Sequence, residues 1–284
     1  MDLTDSEILH QAARQNPSLR RPHHRRPIQR RHLQRSRSFS PNIPSQITRP
    51  DPHVPPRPLH DGGGFAMMSA FTPHYDRHAR LLAAESTSIV VSVECRLAPE
   101  HPIPACYDDA WAVLRWVAAH STRDGAEPWL NDHADFSRVF VGGGSSGGNM
   151  AHTSAYRVGT IGLPGVKLVG AYMAHPYFGG VEEDDKIWMY MCPTNSGFDD
   201  PRMKPPVEDL AVIGCERVLM FVAGNDPMRE PGGAYYERLK KSEWKGSVEI
   251  VENVGQDHCF HLHDPTNENA VALVKKIVDF INQK

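Results

Sequence analysis

Arg138-Val-Phe-Val-Gly-Gly-Gly-Ser-Ser-Gly-Gly-Asn-Met150 runs from a short apolar triplet straight into glycines, then two serines, then helix-forming residues. That order predicts a strand that enters a turn too tight for ordinary side chains and leaves it as a helix. A G-x-S-x-G word in this setting holds a serine on a strained turn with its hydroxyl exposed. Two registers fit: Gly143 to Gly147, centred on Ser145, and Gly144 to Gly148, centred on Ser146. The first places its serine directly after the strand, so Ser145 is the candidate nucleophile. A glycine-rich turn that binds a phosphate, or that only packs closely, would carry the same letters. The rest of the chain decides.

Working outward, apolar runs alternate with helical stretches. Ser88–Glu94, Val166–Met173, Arg217–Ala223 and Ser247–Glu252 read as strands, the first of them buried on both faces. Helices are expected over about Tyr75–Ala84, Asp108–Ala119, Asn149–Val158, Gly232–Lys241 and Asn267–Ile281. Trp111 and Trp116 read as core and interface filler, and His101 as a loop-packing residue. The segment from Gly179 to Gly214, rich in Pro, Asp and Met, has little period and suits a lid-like insertion. Alternation of this kind predicts an α/β fold, one doubly wound and mainly parallel sheet. Working loops in such sheets lie beyond the carboxyl ends of strands. Ser145, Asp226 and His258 each follow a predicted strand, and Ser, Asp, His is the chain order of an α/β-hydrolase triad. Asp257 and Asp264 compete with Asp226 for the role of orienting the histidine.

His60-Asp-Gly-Gly-Gly-Phe65 precedes all of this. Successive glycines leave their amides free to turn toward an anion. Together with the amide after the nucleophile they would form an oxyanion hole from Gly63, Gly64 and Ser146, with Gly62 as a further candidate.

Composition sets limits. The 284 residues carry a net charge of −3, which argues against nucleic acid as a partner. The five cysteines are scattered without a C-x-x-C pair, which fits neither a disulfide framework nor a zinc site and suits a reducing, cytoplasmic setting. No run of 18 apolar residues exists to cross a membrane, and no secretory signal opens the chain.

Residues 1–59 differ from the remainder. Ten arginines fall between Arg14 and Arg49, ten of the 24 prolines between Pro17 and Pro58, and no acidic residue between Glu7 and Asp51. Disorder is the expectation. An organellar transit leader and a basic arm for acidic partners are rival readings. A third is a frame-shifted or mispredicted exon: Pro56-Arg-Pro-Leu59 is what codons for Leu-Val-His-Phe give in another frame, and an apolar strand should precede the glycine run. Transcript sequencing separates these readings.

From about Asp61 onward the chain resembles the plant carboxylesterases of the hormone-sensitive-lipase-like α/β-hydrolase group. The matching words are Gly62-Gly-Gly-Phe65, Ser92-Val-Glu-Cys-Arg-Leu-Ala-Pro-Glu-His-Pro102, Tyr107-Asp-Asp109 and the elbow itself. Others are His175-Pro-Tyr-Phe178, Asp199-Asp-Pro201, Tyr236-Glu-Arg-Leu239, Trp244-Lys-Gly246 and Asp257-His-Cys-Phe-His261. The resemblance implies a Ser145–His258–Asp226 triad acting on a small-molecule ester without metal or organic cofactor. It also implies rivals: a hormone-binding relative, a dehydratase or cyclase offshoot, and an inactive copy. His258 argues against the first, because the receptor line lacks the catalytic histidine, and retention of Ser145 weighs against the second. The chain departs from the family words in three places. His60-Asp61 stands where H-G-G-G begins, Gly143-Gly-Ser-Ser-Gly147 replaces G-D-S-A-G, and Gly224-Asn-Asp226 replaces Glu-Lys-Asp. Counterparts of the usual N-terminal strands are not recognisable in residues 1–59.

Overall fold

The computed structural model describes residues 56–60, 62–179, 185–197 and 199–283. The disorder, leader and exon readings of residues 1–59 lie outside them except at Pro56–Leu59, which belong to a strand rather than to a disordered segment. Among the described residues six strands form one parallel sheet in the order β2-β1-β3-β4-β5-β6. They are β1 (Pro56–His60), β2 (Ile89–Val93), β3 (Val139–Gly144), β4 (Leu168–Ala174), β5 (Arg217–Ala223) and β6 (Ser247–Asn253). Helices α1 (Pro73–Ser86), α2 (Ala105–Ala118), α3 (Pro128–His133), α4 (Ser146–Ile161), α5 (Asp185–Met191), α6 (Val207–Ala211), α7 (Arg229–Lys241), α8 (Phe260–His263) and α9 (Glu268–Asn282) connect and cover them.

Period-2 alternation sorts the strand side chains onto two faces. Val139, Val141, Ala171, Met173, Val218 and Met220 pack with Ala151 and Ala155 of α4 and Tyr235 and Leu239 of α7. Phe140, Val169, Tyr172, Leu219 and Phe221 pack with Leu82 of α1 and Leu273, Ile277, Phe280 and Ile281 of α9. Both faces are therefore covered, which is why the central strands read as continuous apolar runs. Gly142 shows how tight the second face is, since a Cβ there would lie 2.0 Å from the Tyr172 ring. Gly142→Ala is expected to destabilise the fold by about 1–3 kcal/mol through overpacking, measured as a lowered urea midpoint.

Three sequence expectations shift. The domain was expected to begin at His60, but the sheet already includes Pro56–His60, set between β2 and β3. Proline has no N–H to give a ladder. Against β3 the strand pairs only through Leu59 and His60, while its five residues all register with β2. Nor is β2 buried on both faces. It is an outer strand of the described sheet, and Val90 and Ser92 are half-buried. His101, expected to pack within its loop, is exposed.

In the lid-like segment, α5 and the turn that holds Met203 are anchored by packing. Trp188, Met191 and Met203 pack with Phe65, Ile103, Tyr107 and Met150. Asp200, fully buried, accepts hydrogen bonds from the backbone amides of Ser196 and Arg202 and from the Arg202 guanidinium.

Candidate active site

The elbow forms where β3 ends. Ser145 takes φ 54° and ψ −124°, a left-handed backbone that a non-glycine residue adopts only under constraint. The constraint is visible: the Ser145 amide donates to Ala174 O at 2.9 Å, and its carbonyl accepts from Gly148 and Tyr177 amides, each at 2.9 Å. His175 at the end of β4 and Cys259 beside His258 also have positive φ, at 49° and 51°. Backbone strain thus gathers around one edge of the sheet, beyond the carboxyl ends of its strands.

The structure brings Ser145, His258 and Asp226 together. Ser145 Oγ lies 2.9 Å from His258 Nε2, and His258 Nδ1 lies 2.6 Å from Asp226 Oδ2. Asp226 Oδ1 accepts the Met228 amide at 2.9 Å, which fixes the carboxylate plane. Asp264, one of the rival carboxylates, is engaged by Thr266. Ser146, centre of the second register, opens α4 instead, and its Oγ is buried without a hydrogen-bond partner.

Burial alone would lower the His258 pKa, but the Asp226 carboxylate and the Cys259 thiol outweigh it and raise the pKa above that of an ordinary imidazole. For Asp226 burial pulls upward, while the hydrogen bond and charge of His258 and the Met228 amide hold the pKa below the usual carboxylate value. The pair is therefore built to stabilise an imidazolium next to the serine.

The glycine loop abuts this line. A Cβ on Gly62 would sit 2.5 Å from Tyr75 Oη, 2.7 Å from Gly144 O and 3.2 Å from Ser145 Cβ. Gly63 and Gly64 follow with φ of 111° and 58°, and the Gly63 carbonyl accepts the amides of Ala66 and Met67. Ser146, as the first residue of α4, has an amide with no acceptor four residues back within the helix.

One supporting residue was not singled out in the sequence. Asn149, fully buried, accepts Tyr107 Oη at 2.7 Å and donates to Tyr177 O at 3.0 Å and Arg202 O at 2.8 Å. It ties the elbow helix to α2, to the loop after β4 and to the insertion. The sequence signal was an amide side chain in the apolar first turns of a buried helix. Its partners lie 28 to 53 residues away, so they could not be paired by spacing.

Behind the triad, burial holds several imidazoles neutral. The pKa values of His60, His78 and His175 are pulled down to about 4, that of His152 to about 3, and that of His261 well below the ordinary value. A histidine whose folded pKa is depressed contributes stability that is full above the unfolded value of about 6.5. That stability is lost as pH falls toward the folded value. His258, with its raised pKa, acts in the opposite sense. These five buried imidazoles predict a urea midpoint that drops steeply from pH 6.5 to pH 4, a window in which His258 is protonated in both states and adds no slope. The slope should exceed the roughly 1.4 kcal/mol per pH unit of a single proton. A midpoint that stays level between pH 6.5 and 5 would contradict this.

Among the described residues no group of three or more His, Cys, Asp or Glu is placed to hold a metal ion, and no helix is long and apolar enough to cross a membrane.

A parallel sheet covered on both faces, with a serine on its elbow joined through histidine to a buried aspartate, defines an α/β hydrolase. Residues 59–262 match the α/β-hydrolase fold family. The chain is 40% identical to a probable carboxylesterase of Arabidopsis thaliana, over 78% of this chain and 74% of that protein. It is also 40% identical, with the same coverage, to 2-hydroxyisoflavanone dehydratase of Glycyrrhiza echinata. Among solved structures, a hyperthermophilic esterase from Pyrobaculum calidifontis superposes with a TM-score of 0.68 at 27% identity, over 82% of this chain and 78% of that one. The chain belongs to the α/β-hydrolase fold family, in its group of plant carboxylesterases.

Proposed function

We propose that the protein is a serine carboxylesterase that hydrolyses small to medium carboxylic esters. The observation that carries this reading is the continuous line from Ser145 Oγ through His258 to Asp226. His258 Nε2 takes the Ser145 proton as Oγ attacks the ester carbonyl, and Asp226 holds the tautomer and stabilises the imidazolium. The amides of Gly63, Gly64 and Ser146 receive the oxyanion, with Gly62 beside them. The His258 proton then passes to the departing alcohol. Water, deprotonated by the same histidine, attacks the acyl-enzyme, and the acid leaves as the proton returns to Ser145. These steps draw on no metal or organic cofactor. The segment 179–214 serves as a lid, a role supported among its described residues by the packing of Trp188, Met191 and Met203 with Phe65 and Met150.

Turnover of p-nitrophenyl acetate and butyrate by purified protein, set against His258→Ala, tests the reading. Absence of turnover in folded protein would return the choice to a binding or inactive relative. The likeness to a dehydratase supports a second reading, removal of water from a hydroxylated substrate by the same His258. Conversion of such a substrate without ester turnover would favour it. The glycine loop has its own test. Gly62→Ala forces a methyl group against Tyr75 Oη, Gly144 O and Ser145 Cβ, which displaces the loop carrying the Gly63 and Gly64 amides, and is expected to lower kcat by about 10²-fold, the scale of one oxyanion donor misplaced. Unchanged circular dichroism would exclude unfolding as the cause.

A further inference from the structure

His175 follows the last residue of β4. Among the described residues it is the one imidazole with both ring nitrogens buried and without a hydrogen-bond partner. The residue is fully buried, and its backbone is held at φ 49°. Unbonded buried nitrogens and a left-handed backbone each cost free energy. A phenylalanine would fill the same place without desolvating two nitrogens. What the ring touches is the loop that carries the base. The ring centroids of His258, Phe260 and His261 lie 6.1, 5.6 and 5.5 Å from that of His175. Its backbone borders the elbow: the His175 amide donates to Phe221 O at 2.8 Å, and Ala174 O, one residue earlier, accepts the Ser145 amide. Asp226, just beyond β5, and Asn253, the last residue of β6, also act on the ring. Burial and the His258 charge lower the His175 pKa, Asp226 and Asn253 raise it, and burial prevails at about 4. His175 therefore stays neutral near pH 7 and does not compete for the Ser145 proton.

We infer that His175 is a positioning residue for the reaction: a buried imidazole packed against His258, whose dipole supports the imidazolium as Ser145 attacks. The inference rests on the esterase reading above. A neutral imidazole carries one N–H and one lone pair. With neither committed to another partner, its dipole is free to align with the Asp226 carboxylate and with the positive charge that forms on His258. A dipole held in a water-excluded site acts on such charges more strongly than it would in water. His175 works through His258 and gives up no proton itself.

The experiment records kcat and KM for p-nitrophenyl acetate across a pH series in the full-length protein and in two variants. His175→Phe keeps a ring without its polarity, and His175→Asn keeps a dipole on a residue that tolerates positive φ. His175→Phe is expected to lower kcat about tenfold with KM unchanged, less than the roughly 10²–10³ of a lost oxyanion donor. It should also move the acid limb to lower pH, because a less supported imidazolium releases its proton more readily. His175→Asn should leave the limb in place. An unmoved limb in folded His175→Phe, or an equal displacement in His175→Asn, overturns the role and leaves the esterase standing. Should His175→Phe not fold, nitrogen-15 NMR of the unaltered protein decides. Phenylboronic acid, as a tetrahedral adduct on Ser145, places a proton on His258, and the His175 ring should then shift toward one neutral tautomer. Ring resonances unchanged on adduct formation overturn the role. No turnover of p-nitrophenyl acetate by the unaltered, folded protein overturns the esterase reading and this role with it.

Discussion

Replacing Ser145 with alanine is expected to lower kcat for ester hydrolysis by about 10⁶-fold, the scale seen when the nucleophile of a serine triad is removed. The structure gives little reason for the fold to suffer. Ser145 Oγ makes its hydrogen bond to His258, whose side chain is about one-third exposed (37%), and the elbow is held by backbone bonds from Ala174, Gly148 and Tyr177. Alanine keeps those bonds and also relieves no strain, because a Cβ remains at a positive φ. The loss should therefore appear in kcat with the urea midpoint within about 0.5 kcal/mol of the unaltered protein. Residual turnover within a hundredfold of the unaltered enzyme would mean that Ser145 is not the nucleophile. The double substitution Ser145→Ala/His258→Ala should cost no more than either alone, because the two act as one unit.

Asp226→Asn should lower kcat by about 10⁴-fold, since an amide both presents the wrong hydrogen-bonding group to His258 and withdraws the negative charge that favours the imidazolium. Its second signature is a displaced pH profile. The base must be neutral to accept the Ser145 proton, so kcat/KM falls as pH drops through the His258 pKa. Asp226 helps to raise that pKa against the pull of burial, which puts the acid limb of the intact enzyme above the ordinary imidazole value of about 6.5. Without the carboxylate only Cys259 still opposes the pull of burial, and the limb should move to lower pH. A merely structural aspartate would lower activity without moving the limb. An unmoved limb in a folded variant would remove Asp226 from the orienting role.

The parts legible in the sequence were those where geometry restricts the choice of residue. The elbow needs glycines around a serine, and the letters from Gly142 to Gly148 supply them, while the rest of the chain separates it from a phosphate-binding or close-packed turn. The order Ser145, Asp226, His258 placed three polar residues beyond three apolar runs, and parallel topology then brings those ends to one edge. Strands β3, β4 and β5 were readable because burial on both faces writes them as unbroken apolar runs. Strand β1 was not, because Pro56 and Pro58 give no periodic signal and lack the donors that define a strand. Its identity comes from pairing with β2, more than 30 positions later. Helix α3 is too short to show a period. The insertion is organised by the Asp200–Arg202 ion pair and by Trp188 packing, contacts that leave no repeat in the sequence. The support given by Asn149 was hidden for the same reason.

The central claim is that Ser145 is an activated nucleophile, and a fluorophosphonate probe reads activation directly without requiring knowledge of the ester. Soluble, folded protein treated with the probe should carry one adduct, located by peptide mass spectrometry on Ser145 and absent after His258→Ala. An adduct on Ser146 or elsewhere, or none at all in folded protein, would contradict the account.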